Sequence, residues 1–237
     1  MVNTALLNLR YSVLMSVYKK ENSIFLSKSL ESMLKQTIAP SEIIIVKDGK
    51  LTEELDQTLN EFKNLYPEII KIIESSENVG LGKALNLGLK NCKYSMIARM
   101  DTDDISLPNR CEKQLNLFYN NPELSLVGSW VDEFVDDEKS IISTRKVPCE
   151  HSEIYEYCKR RNPFNHPSVM YLKKSVLEVG GYSDMRFGQD YDLFGRMMIK
   201  GCKAQNIGES LLLFRTTNDT IKRRKNWNSI KKLSQYS

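Results

Sequence analysis

The strongest constraint on the fold is an alternation of short apolar runs with helical patterns across the first hundred residues. Buried strands are predicted at residues 11–17, 43–46 and 69–73, because each is a continuous apolar run too short for a helix. Apolar residues at helical spacing fill the intervals, from Ser23 towards a stop at Pro40 and across residues 51–65. Alternating strands and helices imply parallel βαβ units. The sequence therefore predicts an α/β fold with its site at the carboxyl edge of the sheet.

A fourth apolar run, residues 94–100, leads directly into an acidic cluster formed by Asp101, Asp103 and Asp104. Three carboxylates within four residues repel one another and resist full ionisation unless a cation lies among them. Oxygen-only ligands suit Mg²⁺ or Mn²⁺, which proteins usually hold with one or two carboxylates plus substrate phosphates. The cluster therefore predicts a metal–diphosphate site. An acidic loop that caps the helix opening at Pro108 is the open alternative.

Between the third and fourth strands lies a glycine-bearing loop that runs into a helix, residues 78–88. The first amides of a helix are free to bind an anion, and Lys83 adds a positive charge there, so the segment suits a phosphate. The spacing fits neither a Walker motif nor a dinucleotide-binding motif. A helix cap with small residues that allow close packing is the alternative.

Regular alternation fades after Asp104, so the second half is expected to be a mixed lid or acceptor platform. The elements predicted there are a helix at 108–119, strands at 124–127, 130–135 and 141–147 with a hairpin turn at 136–139, a short helix ending at Val179, a helix entered at 188–196 and a last strand at 211–214.

Length and composition narrow the class further. A chain of 237 residues fits one α/β domain, alone or with a substrate-binding extension. No apolar stretch approaches the ~18 residues that span a bilayer, and the first ten residues lack the basic start and apolar core of a secretory signal. Five scattered cysteines and only two histidines argue for reduced thiols and against a zinc site. The expected location is the cytoplasm.

The net charge of +4 comes from the end of the chain, a basic tail at residues 221–237. The tail holds six cations and no acid: Lys222, Arg223, Arg224, Lys225, Lys231 and Lys232. Such a segment gains about 1 kcal/mol per Lys or Arg near an anionic membrane, and Trp227, Ile230 and Leu233 supply an apolar face. Peripheral contact with an anionic membrane is predicted, with a solvated terminal helix as the alternative. No nucleic-acid recognition motif accompanies the tail, so no nucleic acid is expected as a partner.

Taken together, the motifs resemble those of a family 2 glycosyltransferase of the GT-A fold, in particular the bacterial enzymes that assemble O-antigen, capsule and exopolysaccharide repeat units. The matching segments are residues 12–18 with Glu21, then 42–49, 78–88, 98–104, 166–170, 180–182 and 189–192, and finally Arg215. The resemblance covers about residues 11–218. It implies a Rossmann-like mixed, mainly parallel sheet flanked by helices, in one domain over 1–220. Residues 11–105 would be its nucleotide-sugar-binding half and 106–220 its acceptor-side half.

The resemblance also implies roles for individual residues. Tyr18, Glu21 and Asp48 would line the uracil and ribose pocket. Asp101 would lie near the ribose or the metal, Asp103 would coordinate Mn²⁺ or Mg²⁺ on the diphosphate, and Asp104 would lie beside the donor sugar. Further donor-side candidates are Asn78, Lys83 and Arg99, and candidates for acceptor or phosphate contact are His166, Gln189 and Arg215.

Asp190 falls where such enzymes keep their general base, which would take the proton of the attacking acceptor hydroxyl while the metal offsets charge on the departing diphosphate. Two departures from the pattern stand out. Gln189 replaces the usual Glu, which should make Asp190 a slightly weaker base. Thr216 and Thr217 stand where a His often follows, so a third metal ligand there is in doubt. A helix cap is the alternative role for Asp190.

Among these enzymes, the segments 98–104 and 166–170 are most similar to transferases that place β1,3-linked galactose on a lipid-linked amino sugar. The expected donor is UDP-galactose and the expected acceptor a GlcNAc- or GalNAc-diphospho-lipid, at the cytoplasmic face of the inner membrane. A β-glucosyltransferase on the same acceptor and a non-catalytic nucleotide-sugar-binding module are the alternatives. A sugar-1-phosphate nucleotidyltransferase would need a Gly-rich basic loop after the first strand, and residues 18–21 are not that.

Overall fold

The computed structural model describes residues 4–217, and the basic tail lies outside the described residues. Within them, one mixed sheet has nine strands in the order β3-β2-β1-β4-β8-β6-β9-β5, with β7 paired to β6. The strands are β1 Tyr11–Val17, β2 Glu42–Asp48, β3 Ile70–Ser75, β4 Met96–Arg99, β5 Ile105–Ser106, β6 Leu124–Phe134, β7 Ser143–Arg145, β8 Met170–Leu172 and β9 Lys203–Arg215. The helices are α1 Ser23–Leu34, α2 Glu53–Leu65, α3 Leu81–Asn91, α4 Arg110–Asn120, α5 His151–Cys158, α6 Lys173–Glu178 and α7 Gln189–Ile199.

The first half has the predicted parallel βαβ arrangement, since β3, β2, β1 and β4 pair in parallel. Successive side chains of a strand point to opposite faces, and both faces are covered here. Ile43 and Ile45 pack in the core under α1 and α2, whereas Ile44 packs in a second core with α3 and α7. This two-sided burial explains why the strand sequences are continuous apolar runs.

The glycine-bearing segment shows the close packing that was the alternative to a phosphate-binding role in the sequence analysis. Gly88 on α3 lies directly over β1 and β2. A β-carbon at this position would come within 2.4 Å of Leu14 Cδ1 and 2.8 Å of Val46 Cγ2. Since a packed core resists such overlap, the glycine lets α3 approach the sheet and fixes the start of the helix beside the carboxyl edge.

The second half extends the same sheet instead of forming a separate layer. β8 pairs antiparallel with both β4 and β6, and β9 pairs in parallel with β6. The two strands predicted at 124–127 and 130–135 are one strand, β6. Register shifts around Ser129 and Trp130 keep it paired with β9 although its apolar pattern is interrupted. The predicted hairpin turn is confirmed, because Ile142 N donates to Glu133 O across it.

Three of the strands and helices after Asp104 were not predicted, namely β5, β8 and α5, and several predicted ones have different bounds; β7 is Ser143–Arg145 where the prediction was 141–147. β8 is three residues long, too short to show periodicity. α5 begins at a capping box of Glu150 and Glu153, and its short length hides the helical spacing. β9 begins eight residues before the predicted strand because its first part alternates with polar residues. α4 begins at Arg110, two residues after Pro108. Within residues 4–217 no helix is both long and apolar enough to cross a bilayer.

Candidate active site

A cleft of about 280 Å³ opens at the carboxyl edge of the parallel strands. Each strand ends in residues that line it, because the ends of parallel strands meet at one edge of a sheet. The lining includes six of the predicted donor-side residues, namely Tyr18, Glu21, Asp48, Asn78, Asp101 and Asp103. We call this the nucleotide cleft, after the role that the sequence predicted for these residues. The structure therefore brings together residues that are up to 85 positions apart in the sequence.

One wall of the nucleotide cleft is built around the Asp48 carboxylate at the end of β2. It accepts hydrogen bonds from Val79 N at 2.7 Å, Gly80 N at 3.1 Å and Asn78 Nδ2 at 3.0 Å. These two amides precede α3, which begins at Leu81, so the first amides of the helix, which the sequence assigned to a phosphate, are not the ones bonded to Asp48. Lys83 does not line the cleft, since its Nζ pairs with Asp184 Oδ2 at 2.8 Å.

The opposite wall is acidic, and burial makes its charges costly. Burial raises the pKa of Glu21 to about 7, with the charges of Asp103 and Asp101 adding to the effect. Burial also raises the pKa of Asp103 to about 6, again with a contribution from the Asp101 carboxylate. Such crowded carboxylates are stabilised by a cation that approaches from the open side of the cleft.

A divalent cation fits this donor set. Glu21, Asp101 and Asp103 offer only oxygen ligands, the type that Mg²⁺ and Mn²⁺ prefer. Within residues 4–217, no three His, Cys, Asp or Glu side chains are already arranged to hold an ion. One or two carboxylates with substrate phosphates form a usual site for such an ion, so the acidic wall suits an ion that arrives with a diphosphate.

Behind the acidic wall, Arg215 at the end of β9 fastens the loop that carries the aspartates. Its Nε donates to Asp103 O at 3.0 Å and its backbone N donates to Asp104 Oδ1 at 2.8 Å. The guanidinium also stacks on Phe25 and Phe134, at 3.7 and 4.4 Å from the ring centroids. Asp104 is only 1% exposed. The structure does not bring Asp104 or Arg215 into the lining of the nucleotide cleft, and their predicted contacts with donor and phosphate stay predictions.

Arg99 is also placed behind the cleft rather than in it. Its side chain is fully buried and pairs through one terminal nitrogen with Asp101 Oδ1. Its Nε and other terminal nitrogen have no hydrogen-bond partner among the described residues. Arg99 does not line the nucleotide cleft, and its predicted contact with the donor stays a prediction. The buried guanidinium holds the Asp101 carboxylate in position at the edge of the cleft.

A second cleft of about 350 Å³ adjoins the first, and Asp101 lines both. We call it the acceptor-side cleft; Asp190, Asn162 and His166 also line it. His166 Nε2 lies 3.0 Å from the Tyr182 hydroxyl. Burial, reinforced by the nearby Arg99 charge, holds the pKa of His166 well below its usual value, so the imidazole is neutral.

Asp190 lies in the first turn of α7 and points into the acceptor-side cleft. The cap position of α7 is Gly188, and no side chain makes a capping bond there, so the alternative of Asp190 as the helix cap is wrong. Instead, Asp190 Oδ2 accepts a 2.6 Å hydrogen bond from Asn162 Nδ2. The neighbouring Gln189 is buried at the start of the helix and does not line this cleft.

Asn162 is the functional candidate that sequence reasoning missed. Its amide oxygen accepts from Phe164 N at 3.1 Å while its nitrogen bonds Asp190, so the side chain is fixed at both ends. No motif marks the residue, and its partner lies 28 positions away. Its only local signal is an Asn before a Pro, which indicates a turn.

Solved structures define the class of fold. The chain is similar to S. aureus TarS residues 1–349 in complex with UDP, with a TM-score of 0.67 at 15% identity, covering 88% of this chain and 61% of that one. It is also similar to the mannosyltransferase PcManGT from Pyrobaculum calidifontis in complex with GDP-Man and Mn²⁺, with a TM-score of 0.66 at 13% identity over 88% and 58%. The chain thus spans less than two thirds of either structure. Its mixed sheet flanked by helices has the GT-A glycosyltransferase fold.

Sequence comparison narrows the class to a family. The model of glycosyl transferase family 2 matches residues 12–181. A UDP-Gal:alpha-D-GlcNAc-diphosphoundecaprenol beta-1,3-galactosyltransferase from Escherichia coli is 40% identical over 217 residues, which cover 91% of this chain and 77% of that protein. The chain belongs to glycosyl transferase family 2 and is a glycosyltransferase. The predicted resemblance and the predicted fold are confirmed.

Proposed function

We propose that the chain transfers galactose from UDP-galactose, in β1,3 linkage, to a GlcNAc- or GalNAc-diphospho-lipid. The observation that carries this proposal is the junction of the two clefts at Asp101, with carboxylates for a metal–nucleotide complex on one side and Asp190 on the other. The E. coli relative acts on such a donor and acceptor by its name, and it matches this chain on both sides of the junction.

The acceptor-side residues supply the proton transfer. An acceptor hydroxyl in the second cleft loses its proton to Asp190 as its oxygen bonds the anomeric carbon, and the bond from that carbon to the diphosphate breaks. Asn162 bonds Oδ2, and Oδ1 has no hydrogen bond with the described residues, so Oδ1 is the oxygen proposed to receive the proton. One displacement of this kind inverts the anomeric centre and needs no covalent intermediate.

The donor-side residues bind and orient the nucleotide sugar. Asp103 and Asp101 would hold Mn²⁺ or Mg²⁺, whose charge stabilises the departing diphosphate. The Mn²⁺ in the PcManGT complex supports this assignment. Tyr18 and Asp48 bound the same cleft and suit the uracil and ribose, and TarS in complex with UDP supports a uridine nucleotide.

The cell location follows from the proposed acceptor. A diphospho-lipid lies in the membrane while UDP-sugars are cytoplasmic, so the chain is proposed to work at the cytoplasmic face of the inner membrane. The basic tail suits peripheral contact with its anionic lipids, although the tail is outside the described residues.

A donor screen tests this function. The protein is incubated with Mn²⁺, a soluble GlcNAc-diphospho-lipid analogue and each of UDP-galactose, UDP-glucose and UDP-GlcNAc. Mass spectrometry and linkage NMR are expected to show β1,3-linked galactose from UDP-galactose only. Transfer from UDP-glucose alone would show that the chain is a glucosyltransferase. Binding of UDP-sugars without transfer to any acceptor would show that it is a non-catalytic binding module.

Replacement of Asn162 by Ala is expected to lower kcat about tenfold with the donor KM unchanged, because one hydrogen bond that fixes Asp190 is lost. Steady-state kinetics with UDP-galactose and the GlcNAc-diphospho-lipid analogue measure both constants. The matched control is Asn91→Ala on α3, where the amide bonds only Leu87 O. An unchanged kcat for the Asn162 variant would show that the base does not need this support.

A further inference from the structure

A third cleft of about 720 Å³ continues from the acceptor-side cleft beyond Asp190. Tyr157 lines both, and Val147 of one is followed in the chain by Pro148 of the other. Arg160 and Arg161 line this third cleft. Three adjoining clefts therefore run from carboxylates that suit a metal–nucleotide complex, past Asp190, to a pair of guanidinium groups.

These two guanidinium groups are available to a ligand. Arg160 and Arg161 are exposed, and neither side chain has a hydrogen bond or an ion pair with the residues between 4 and 217. The neighbouring Lys159 differs, because its Nζ pairs with Glu156 at 2.5 Å and lies over the Tyr155 ring. This pair offsets part of the Glu156 charge. Glu153 also lines the cleft, so two carboxylates and three cations share it, and the two arginines are the cations without an ion pair among the described residues.

The two arginines are held at a fixed place relative to Asp190. Their backbone amides both donate to Tyr157 O at 3.0 Å, which folds the chain back over the end of α5. The Tyr191 hydroxyl on α7 donates to Cys158 O at 2.6 Å, so the end of α5 is tied to the helix that carries Asp190. The next residue after Arg161 is Asn162, the hydrogen-bond donor to Asp190.

We propose that Arg160 and Arg161 bind the diphosphate of the lipid-linked acceptor while its sugar lies against Asp190. This assignment rests on the proposed function, since it takes the acceptor to be a sugar diphosphate. The diphosphate is attached to the anomeric carbon, two carbons around the sugar ring from the attacking 3-hydroxyl. It therefore needs cations close to the base but outside the space that the sugar fills, and these arginines precede Asn162 in the chain and line the adjoining cleft. Guanidinium groups bind phosphate oxygens through paired, charge-assisted hydrogen bonds.

Two other roles for these cations are separable from this one. Positive charge at the end of α5 complements the helix dipole, a role that affects stability and no particular acceptor. Attraction to an anionic membrane affects vesicle binding and does not depend on the acceptor's own phosphates.

The test compares two soluble acceptors that differ only in the diphosphate group, GlcNAc-diphospho-hexyl and the uncharged hexyl glycoside of GlcNAc. With Arg160→Gln/Arg161→Gln, KM for the diphosphate acceptor is expected to rise at least about tenfold, while kcat/KM for the glycoside and the donor KM stay as in the wild type. The matched control is Arg10→Gln/Lys63→Gln, which removes two exposed charges outside the three clefts.

An equal loss of kcat/KM for both acceptors, or an unchanged KM for the diphosphate acceptor, would overturn the assignment. So would a loss confined to binding of anionic phosphatidylglycerol vesicles, which would assign the arginines to the membrane. If the wild type transferred to neither acceptor, the proposed function would fail. In that case, calorimetric binding of GlcNAc-diphospho-hexyl still decides this inference, because the double variant should bind it at least about tenfold more weakly.

Discussion

Asp190→Asn is expected to lower kcat about a thousandfold and to leave the affinity for UDP-galactose unchanged. The amide has the size of the carboxylate but cannot accept the hydroxyl proton, and a positioned base contributes roughly 10²–10⁴ in rate. Donor affinity should be preserved because Asp190 lines the acceptor-side cleft and not the nucleotide cleft. Single-turnover transfer and donor titration measure the two quantities separately.

The control for this variant is Asp192→Asn in the same helical turn. Asp192 pairs with Arg196 Nη2 at 2.7 Å and does not line the acceptor-side cleft. Its replacement should cost some stability and little kcat, since a partly exposed pair contributes about 1 kcal/mol or less. Near-normal turnover by Asp190→Asn would remove this residue from the chemistry, and another group would have to take the proton.

Asp103→Asn is expected to lower kcat/KM about 10²–10³-fold, because it removes a carboxylate from the acidic wall that would hold the cation on the diphosphate. Added Mn²⁺ at high concentration should restore part of the rate, since the remaining carboxylates still offer a weak site. Asp136→Asn is the control, as Asp136 is exposed in the hairpin turn before β7. An activity of the Asp103 variant equal to that of the wild type, or one unaffected by EDTA, would contradict the assignment.

The same substitution should stabilise the metal-free protein above pH 6. The pKa of Asp103 is about 6 in the folded chain, against a usual value of 3.8. Between these two pH values the folded protein keeps a proton on Asp103 that the unfolded chain has released, so the free energy of unfolding falls as the pH rises. The whole loss of stability from the charged Asp103 is present above pH 6. The neutral amide removes that loss. Urea unfolding at pH 7 in EDTA should therefore show a higher free energy of unfolding for Asp103→Asn.

The first half of the fold was predictable because its strands are buried on both faces. β1 has the predicted bounds, and the apolar run 43–46 lies inside β2. The second half was less predictable because its pairings are long-range. β8 is recognisable only by its partners β4 and β6, and β6 stays continuous through its bulge only because β9 lies beside it.

The site was predictable where its residues end strands or belong to a motif, as with Asp48, Asp103 and Asp190. Their tertiary partners were not. The Asp48 carboxylate bonds amides that follow it by about thirty positions, and Asn162 reaches Asp190 across 28. The burial of Asp104 behind Arg215 depends on β9, more than a hundred residues later. Sequence patterns carry no record of such contacts.

The carboxylates at the end of β4 are proposed to hold a nucleotide diphosphate through a divalent cation, beside a separate base at Asp190. Isothermal titration with UDP tests it most directly, using the wild type, Asp103→Asn and Asp190→Asn, each with Mn²⁺ and with EDTA. UDP is expected to bind the wild type and the Asp190 variant equally in Mn²⁺, to bind the Asp103 variant at least about tenfold more weakly, and to bind none of them appreciably in EDTA. UDP binding of equal strength in EDTA, or to Asp103→Asn in Mn²⁺, would contradict it.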